Sequence, residues 1–309
     1  MPKFCGVRTA ALALCLLAAL TGCAPSSPAF DSPAAADPRP LALTTFTVLE
    51  DLAENVAGDE VRVESITRVG AEIHGYEPTP SDLTRADGAD LLLANGLGLE
   101  SWFEQFTVDI DAPTVILSDG VEPIPIAVGD YEGRPNPHAW MSPVAAETYV
   151  DNLVTAFSEL VPSAAKTFEA NGEAYTAKLR AVVGELTAAV ASLPADQRML
   201  VSCEGAFSYL ARDAGLDEGY LWAVNQEGQG TPQQAARLID TVRERNVPAL
   251  FCESTVSDAA QQQVVTDSGA RFGGTLYVDS LSDGDPVPTY LDLLHYDIEL
   301  ITGALGGRS

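Results

Sequence analysis

Histidine is scarce in this chain of 309 residues, which has three. Basic residues are also few: 17 Lys and Arg stand against 44 Asp and Glu, a formal charge of −27. So acidic a body repels a phosphate backbone, which excludes nucleic acid as a partner. The excess acid could concentrate cations, but its plainest role is solubility. Five cysteines in a chain of this length are too few for a disulfide scaffold. Nothing in the sequence repeats at a period short enough for a solenoid.

Long apolar runs are missing as well. Residues 10–20 form an apolar stretch behind Lys3 and Arg8, but a bilayer span needs about 20 residues. The pattern is that of a secretion signal over 1–22. Its end, Leu20-Thr21-Gly22-Cys23, resembles the bacterial lipobox, in which the Cys is lipidated and becomes the new N-terminus. Cys23 is then a lipid anchor for an extracytoplasmic protein held at the cell membrane. Residues 23–40, rich in Pro, Ala and Ser, read as a tether without a core of its own.

The remaining body is long enough for two α/β lobes, expected over 41–161 and 194–309. Residues 42–48 read as a strand and 49–56 as a helix; 61–66, 91–93 and 114–117 read as further strands. Thr79-Pro80-Ser81-Asp82 is a helix start with Thr as N-cap and Pro at N1. Between 162 and 193 the turn signals stop, and Phe168, Tyr175, Leu179, Val182, Leu186 and Val190 keep helical spacing. One long helix joining the lobes is expected there, with a break at Gly184 as the alternative. Alternation then resumes: strands over 199–202, 220–224, 249–252 and 274–278, with helices over 205–213, 258–267 and 290–302. Another helix begins at the capping-box sequence Thr231-Pro232-Gln233-Gln234 and runs to about 245. The fold class is therefore α/β, each lobe a mostly parallel sheet covered by helices.

Four residues stand out in this frame: His74, His138, Glu204 and Asp279. Each follows an apolar run that reads as a strand, and ligands of open α/β sheets bind beyond the carboxyl ends of strands. Two imidazoles from one lobe and two carboxylates from the other would face each other as an N/O cage for a divalent transition metal. A lone His after a strand is more often structural, and His295 on the closing helix is left in that class. Trp140 and Tyr76 read as packing around the site. Cys203 precedes Glu204, so strand alternation turns it away from the cleft. Cys203 and Cys252 end strands that would neighbour in a 2-1-3-4 order; they read as small buried residues, with a disulfide the lesser alternative.

The motifs carrying these residues resemble those of the solute-binding lipoproteins of metal-ion ABC importers, the class with a single long interlobe helix. They are His74-Gly75-Tyr76-Glu77-Pro78-Thr79-Pro80, Pro137-His138-Ala139-Trp140, Ser202-Cys203-Glu204-Gly205-Ala206-Phe207 and Leu276-Tyr277-Val278-Asp279-Ser280. A stretch from Trp222 through Asn225, Gly230-Thr231-Pro232 and Glu253-Ser254-Thr255 is similar too. The resemblance implies His74, His138, Glu204 and Asp279 as metal ligands. It also implies a permease and its ATPase as partners, a monomer, and no chemistry on the ion. One departure is Asn136, where Asp is usual before Pro-His; an amide there changes what supports the imidazole.

Zinc-specific members typically add a third His and a His-rich loop. Here residues 120–137 contain no His, and Glu204 stands in the third position. Carboxylates can be bidentate, so two His and two carboxylates suit Mn(II) first and Fe(II) next, with Zn(II) as an alternative cargo. A two-His, one-carboxylate metalloenzyme would need open positions, which the second carboxylate closes. An adhesin or scaffold would need no metal at all; stoichiometric metal binding separates it.

Overall fold

In a computed structural model the four strands of the first lobe form one parallel sheet, in the order β2-β1-β3-β4. The structure describes residues 37–307 except 108–109, 130 and 225–229, so the signal, Cys23, most of the tether and Asn225 lie outside it. Arg39–Ser309 form one compact unit. The strands are β1 (Leu41–Thr44), β2 (Arg62–Ser65), β3 (Leu91–Ala94) and β4 (Thr114–Ile116). β1 and β3 are buried along their whole length, as expected for central strands covered on both faces.

Helix α1 (Thr47–Ala57) starts earlier than the β-branched pair Thr47-Val48 suggests, so the strand expected over 42–48 stops at Thr44. The reason is tertiary: Thr47 Oγ1 accepts from the Leu281 amide at 3.0 Å, and Val48 is buried in the core. Helix α2 (Pro80–Asp87) has the expected cap, with Thr79 and Asp82 exchanging bonds in a capping box. Helix α3 (Ser101–Phe106) follows β3. Ser142 then accepts from the Val144 and Ala145 amides and Pro143 takes the first turn, which starts α4 (Pro143–Leu160).

The connector is a single helix, α5 (Ala165–Ala191), continuous through Gly184. Its 27 residues span about 40 Å. One stripe, Phe168, Gly172, Tyr175, Leu179, Val182, Leu186 and Val190, is buried. The core it joins includes Phe46 and Trp140 from one lobe and Phe207, Val278 and Tyr290 from the other. His295 carries no site role: on the outer side, its Nδ1 lies 3.0 Å from Glu185 Oε2.

In the second lobe β5 (Met199–Glu204) pairs with β6 (Asp217–Trp222), and β7 (Ala249–Glu253) with β8 (Arg271–Leu276), both parallel. Helices α6 (Ser208–Ala214), α7 (Pro232–Glu244), α8 (Ala259–Ser268) and α9 (Tyr290–Leu305) cover them, and Thr231 caps α7 with its box. Strand β8 ends before Tyr277, whose amide donates to Asp297 Oδ1 at 3.0 Å instead of to a neighbouring strand. Cys203 and Cys252 form a disulfide, against the expectation of two free buried thiols. Their Cα atoms are 4.8 Å apart, the spacing of neighbouring strands, so β5 and β7 lie side by side in the order β6-β5-β7-β8. Among the described residues no ladder pairs β5 with β7. The disulfide and a bond from the Glu204 amide to the Glu253 carboxylate (3.2–3.3 Å) hold them together.

Two glycines of α5 test its continuity. An added Cβ meets nothing within 4 Å at exposed Gly184, but meets Val154 Cγ2 at 2.5 Å at Gly172, where α4 packs. Gly184→Ala should stabilise the chain by about 0.5–1 kcal/mol, and Gly172→Ala should destabilise it. Urea melts check both signs; a loss from Gly184→Ala would mean the helix does not run straight through that position.

Candidate metal centre

His74 lies in the turn after β2. The Glu72 carboxylate shapes that turn by accepting from the His74 and Gly75 amides at 2.7 and 3.0 Å. Trp102 fixes the preceding residue, donating from Nε1 to the Ile73 carbonyl at 2.9 Å. His138 follows Pro137 at the head of a short 3-10 turn, Ala139–Met141. Glu204 is the last residue of β5, and Asp279 follows β8.

These four side chains meet. One ligand atom from each lies within 4.8 Å of all the others. His74 Nε2 is 3.1 Å from His138 Nε2, 3.2 Å from Glu204 Oε1 and 4.0 Å from Asp279 Oδ1; His138 Nε2 is 3.4 Å from Glu204 Oε1. All four residues are at most 2% exposed. Two neutral imidazoles and two carboxylates sum to a charge of about −2, and their lone pairs converge, so the donor set suits one divalent cation.

Burial pushes both imidazoles toward the neutral form that ligation needs. It holds His74 well below the usual histidine range, helped by His138, and lowers His138 to about 3. The tautomer of His138 is set from behind: Asn136 Oδ1 lies 2.8 Å from Nδ1 and 3.0 Å from the His138 amide. With Nδ1 as donor, Nε2 presents its lone pair to the centre. The amide at 136 also does what a carboxylate could not, donating from Nδ2 to the Gly205 carbonyl at 2.6 Å and to Ser208 Oγ at 3.1 Å. Asp279 is oriented by Thr255, which donates to Oδ2 at 3.0 Å.

Trp140 packs as expected, its ring 5.1 Å from that of His138 and its Nε1 donating to the Val278 carbonyl. Tyr76 does not reach the centre; it donates to Asp82 and stacks near Trp102. Strand alternation explains the opposite fates of neighbours on β5 and β7. Cys203 and Cys252 enter the apolar core under α7 and α8, while Glu204 and Glu253 face the centre. Glu253 is the residue that sequence reasoning passed over. Burial, then the Glu204 carboxylate beside it, raises its acid well above the ordinary range. Its signal was the one that marked Glu204: an acid directly after a buried strand.

Comparison with known proteins agrees along the whole body of the chain. Residues 43–304 match the family model described as zinc-uptake complex component A, periplasmic. The iron-binding protein YfeA of Yersinia pestis is 48% identical over 266 residues, covering 85% of this chain and 86% of that protein. The manganese-binding lipoprotein MntA of Halalkalibacterium halodurans is 33% identical, covering 85% and 87%. The Mn-bound periplasmic metal-binding protein of Candidatus Liberibacter asiaticus superposes with a TM-score of 0.81 at 35% identity, over 86% of this chain and all of that one. With fold, cleft and sequence in agreement, the chain belongs to the zinc-uptake component A family, the metal-binding substrate-binding components of ABC transporters.

Proposed function

We propose that His74, His138, Glu204 and Asp279 hold one divalent transition metal as cargo, Mn(II) first and Fe(II) next, for hand-over to a permease driven by its ATPase. The observation that carries this reading is the convergence of two imidazole nitrogens and two carboxylates within 4.8 Å at full burial. Oxygen-rich donors favour Mn(II) and Fe(II), and a relative of each cargo is recorded in name. Zn(II) should bind in vitro as well, since affinity rises along the first-row series. The protein performs no reaction on the ion: both carboxylates are ligands, and the His138 Nδ1 is already engaged by Asn136.

The chain acts as a monomer, tethered outside the membrane by acyl chains on Cys23. Among the described residues no helix is long and apolar enough to cross a membrane. Cys23→Ala should release the protein from the membrane fraction and abolish labelling by a radioactive fatty acid. Retention on the membrane with the label intact would refute the anchor.

His138→Ala and Asp279→Ala should each weaken Mn(II) binding by more than the about 10–100-fold that outer-shell changes cost. Titration calorimetry measures this, and circular dichroism checks that the apo fold is kept. Unchanged affinity in both variants would remove the centre.

Glu253 gives a pH signature. Its acid is raised in the fold, so between about 4.5 and that higher value the native state holds a proton that the unfolded state has lost. Stability from the neutral acid is fully present below about 4.5 and is lost as pH rises. Glu253→Gln keeps the shape without the titration. The melting temperature of its apo form should therefore gain on the wild type as pH rises from 5 to 8. A gap constant with pH would mean that Glu253 titrates normally.

A further inference from the structure

Behind His138 a line of hydrogen bonds crosses from one lobe to the other. Asn136 Oδ1 meets the imidazole Nδ1 at 2.8 Å, Asn136 Nδ2 donates to Ser208 Oγ at 3.1 Å, and Ser208 Oγ donates to Glu218 Oε2 at 2.5 Å. The other oxygen of Glu218 accepts from the Phe207 amide at 3.0 Å, which fixes the carboxyl at the start of α6. Every donor in the line points away from His138, so a negative charge on Glu218 polarises each bond in the same sense. Glu218 neither ligates nor touches the four converging residues; it sits on β6, opposite Leu200 of β5. Glu218 also lines a cavity of about 680 Å³ between residues 124–128 of the first lobe and the second lobe, shared with Arg212, Asp217, Tyr220 and Arg237.

We propose that Glu218 is a positioning residue for metal capture: through Ser208 and Asn136 its carboxylate strengthens His138 as a ligand, and protonating it from the adjoining cavity weakens the hold on the ion. The proposal rests on His138 being a ligand. The amide at position 136 accepts from the imidazole without a charge of its own, so the nearest anion that can act on Nδ1 through the line is Glu218. Burial lifts the Glu218 acid to about 7, against the lowering effect of its Ser208 and Phe207 bonds, which places its titration in the neutral range. The charged groups that share the cavity with it are Arg212 on α6, Arg237 on α7 and its own neighbour Asp217. Arg212 is occupied by Asp213 at 2.7 Å and Asp217 by Arg245 at 2.5 Å, so neither replaces Glu218 at the end of the line.

The test is Mn(II) affinity of the full-length protein against a competing fluorescent chelator, from pH 6 to 8.5. Wild type should bind about tenfold more tightly at the alkaline end than Glu218→Gln, the low end of the cost of outer-shell changes. The gap should narrow toward pH 6, below the titration of Glu218 at about 7. Ser208→Ala, which cuts the line while leaving the carboxyl, should behave like Glu218→Gln and covers the case in which that variant fails to fold. Equal affinities of wild type and the folded variants at every pH would overturn the relay. A deficit of the same size at every pH would also overturn it, as a merely structural effect. If His138→Ala abolishes binding while both relay variants bind as wild type, only the relay falls. If His138→Ala binds normally, the centre itself falls.

Discussion

Two carboxylates and two imidazoles packed within 5 Å of one another in a dry interior are the constraint around which this protein is built. Polypeptide alone does not favour such a cluster: the carboxylates repel, and burial opposes any charge the imidazoles could supply in compensation. The surrounding bonds are what hold it. Thr255 fixes Asp279, Asn136 fixes His138, Glu72 shapes the turn of His74, and the Glu204 amide is tied to Glu253. A divalent ion held there as proposed would relieve the repulsion, and the energy stored in pre-arranging the four side chains would return as affinity.

Each lobe alone could not carry this cluster. The carboxylates stand on β5 and just beyond β8, which belong to separately paired strands, and the disulfide between Cys203 and Cys252 sets β5 beside β7, the partner of β8, one residue from Glu204. The imidazoles come from loops that the second lobe grips: Asn136 is bonded to Gly205 and Ser208, and Trp140 to Val278. Position in the site and contact between the lobes are therefore the same set of interactions.

Much of this was legible in the sequence because short-range chemistry decides it. The caps at Thr79 and Thr231 are formed as their spacing indicates, and the stripe from Phe168 to Val190 marks the face that α5 buries. The four candidate ligands were legible from their places after apolar runs. What escaped is tertiary. Helix α1 extends over β-branched residues because the Leu281 amide of the second lobe donates to Thr47, and α4 went unmarked although Ser142-Pro143 is a sound start. Whether Cys203 reaches Cys252 depends on strand adjacency, and so does the recruitment of Glu253 and Glu218 behind the ligands. No local pattern encodes a partner 49 residues away.

The contact between the first and last helices of the body has a bearing on biogenesis. Asp51 on α1 accepts from the Tyr290 amide at 2.9 Å, across 239 residues, and lies 3.5 Å from the Tyr175 hydroxyl of α5. Tyr290 also bonds the Trp140 carbonyl beside His138. The N-terminal lobe thus stays incomplete until nearly the whole chain has been synthesised. A body whose first helix is packed by its last cannot close its core on a partial chain, so its final packing is withheld until the C-terminal helix is present. The four converging side chains are therefore brought together only in a chain complete to its last helix.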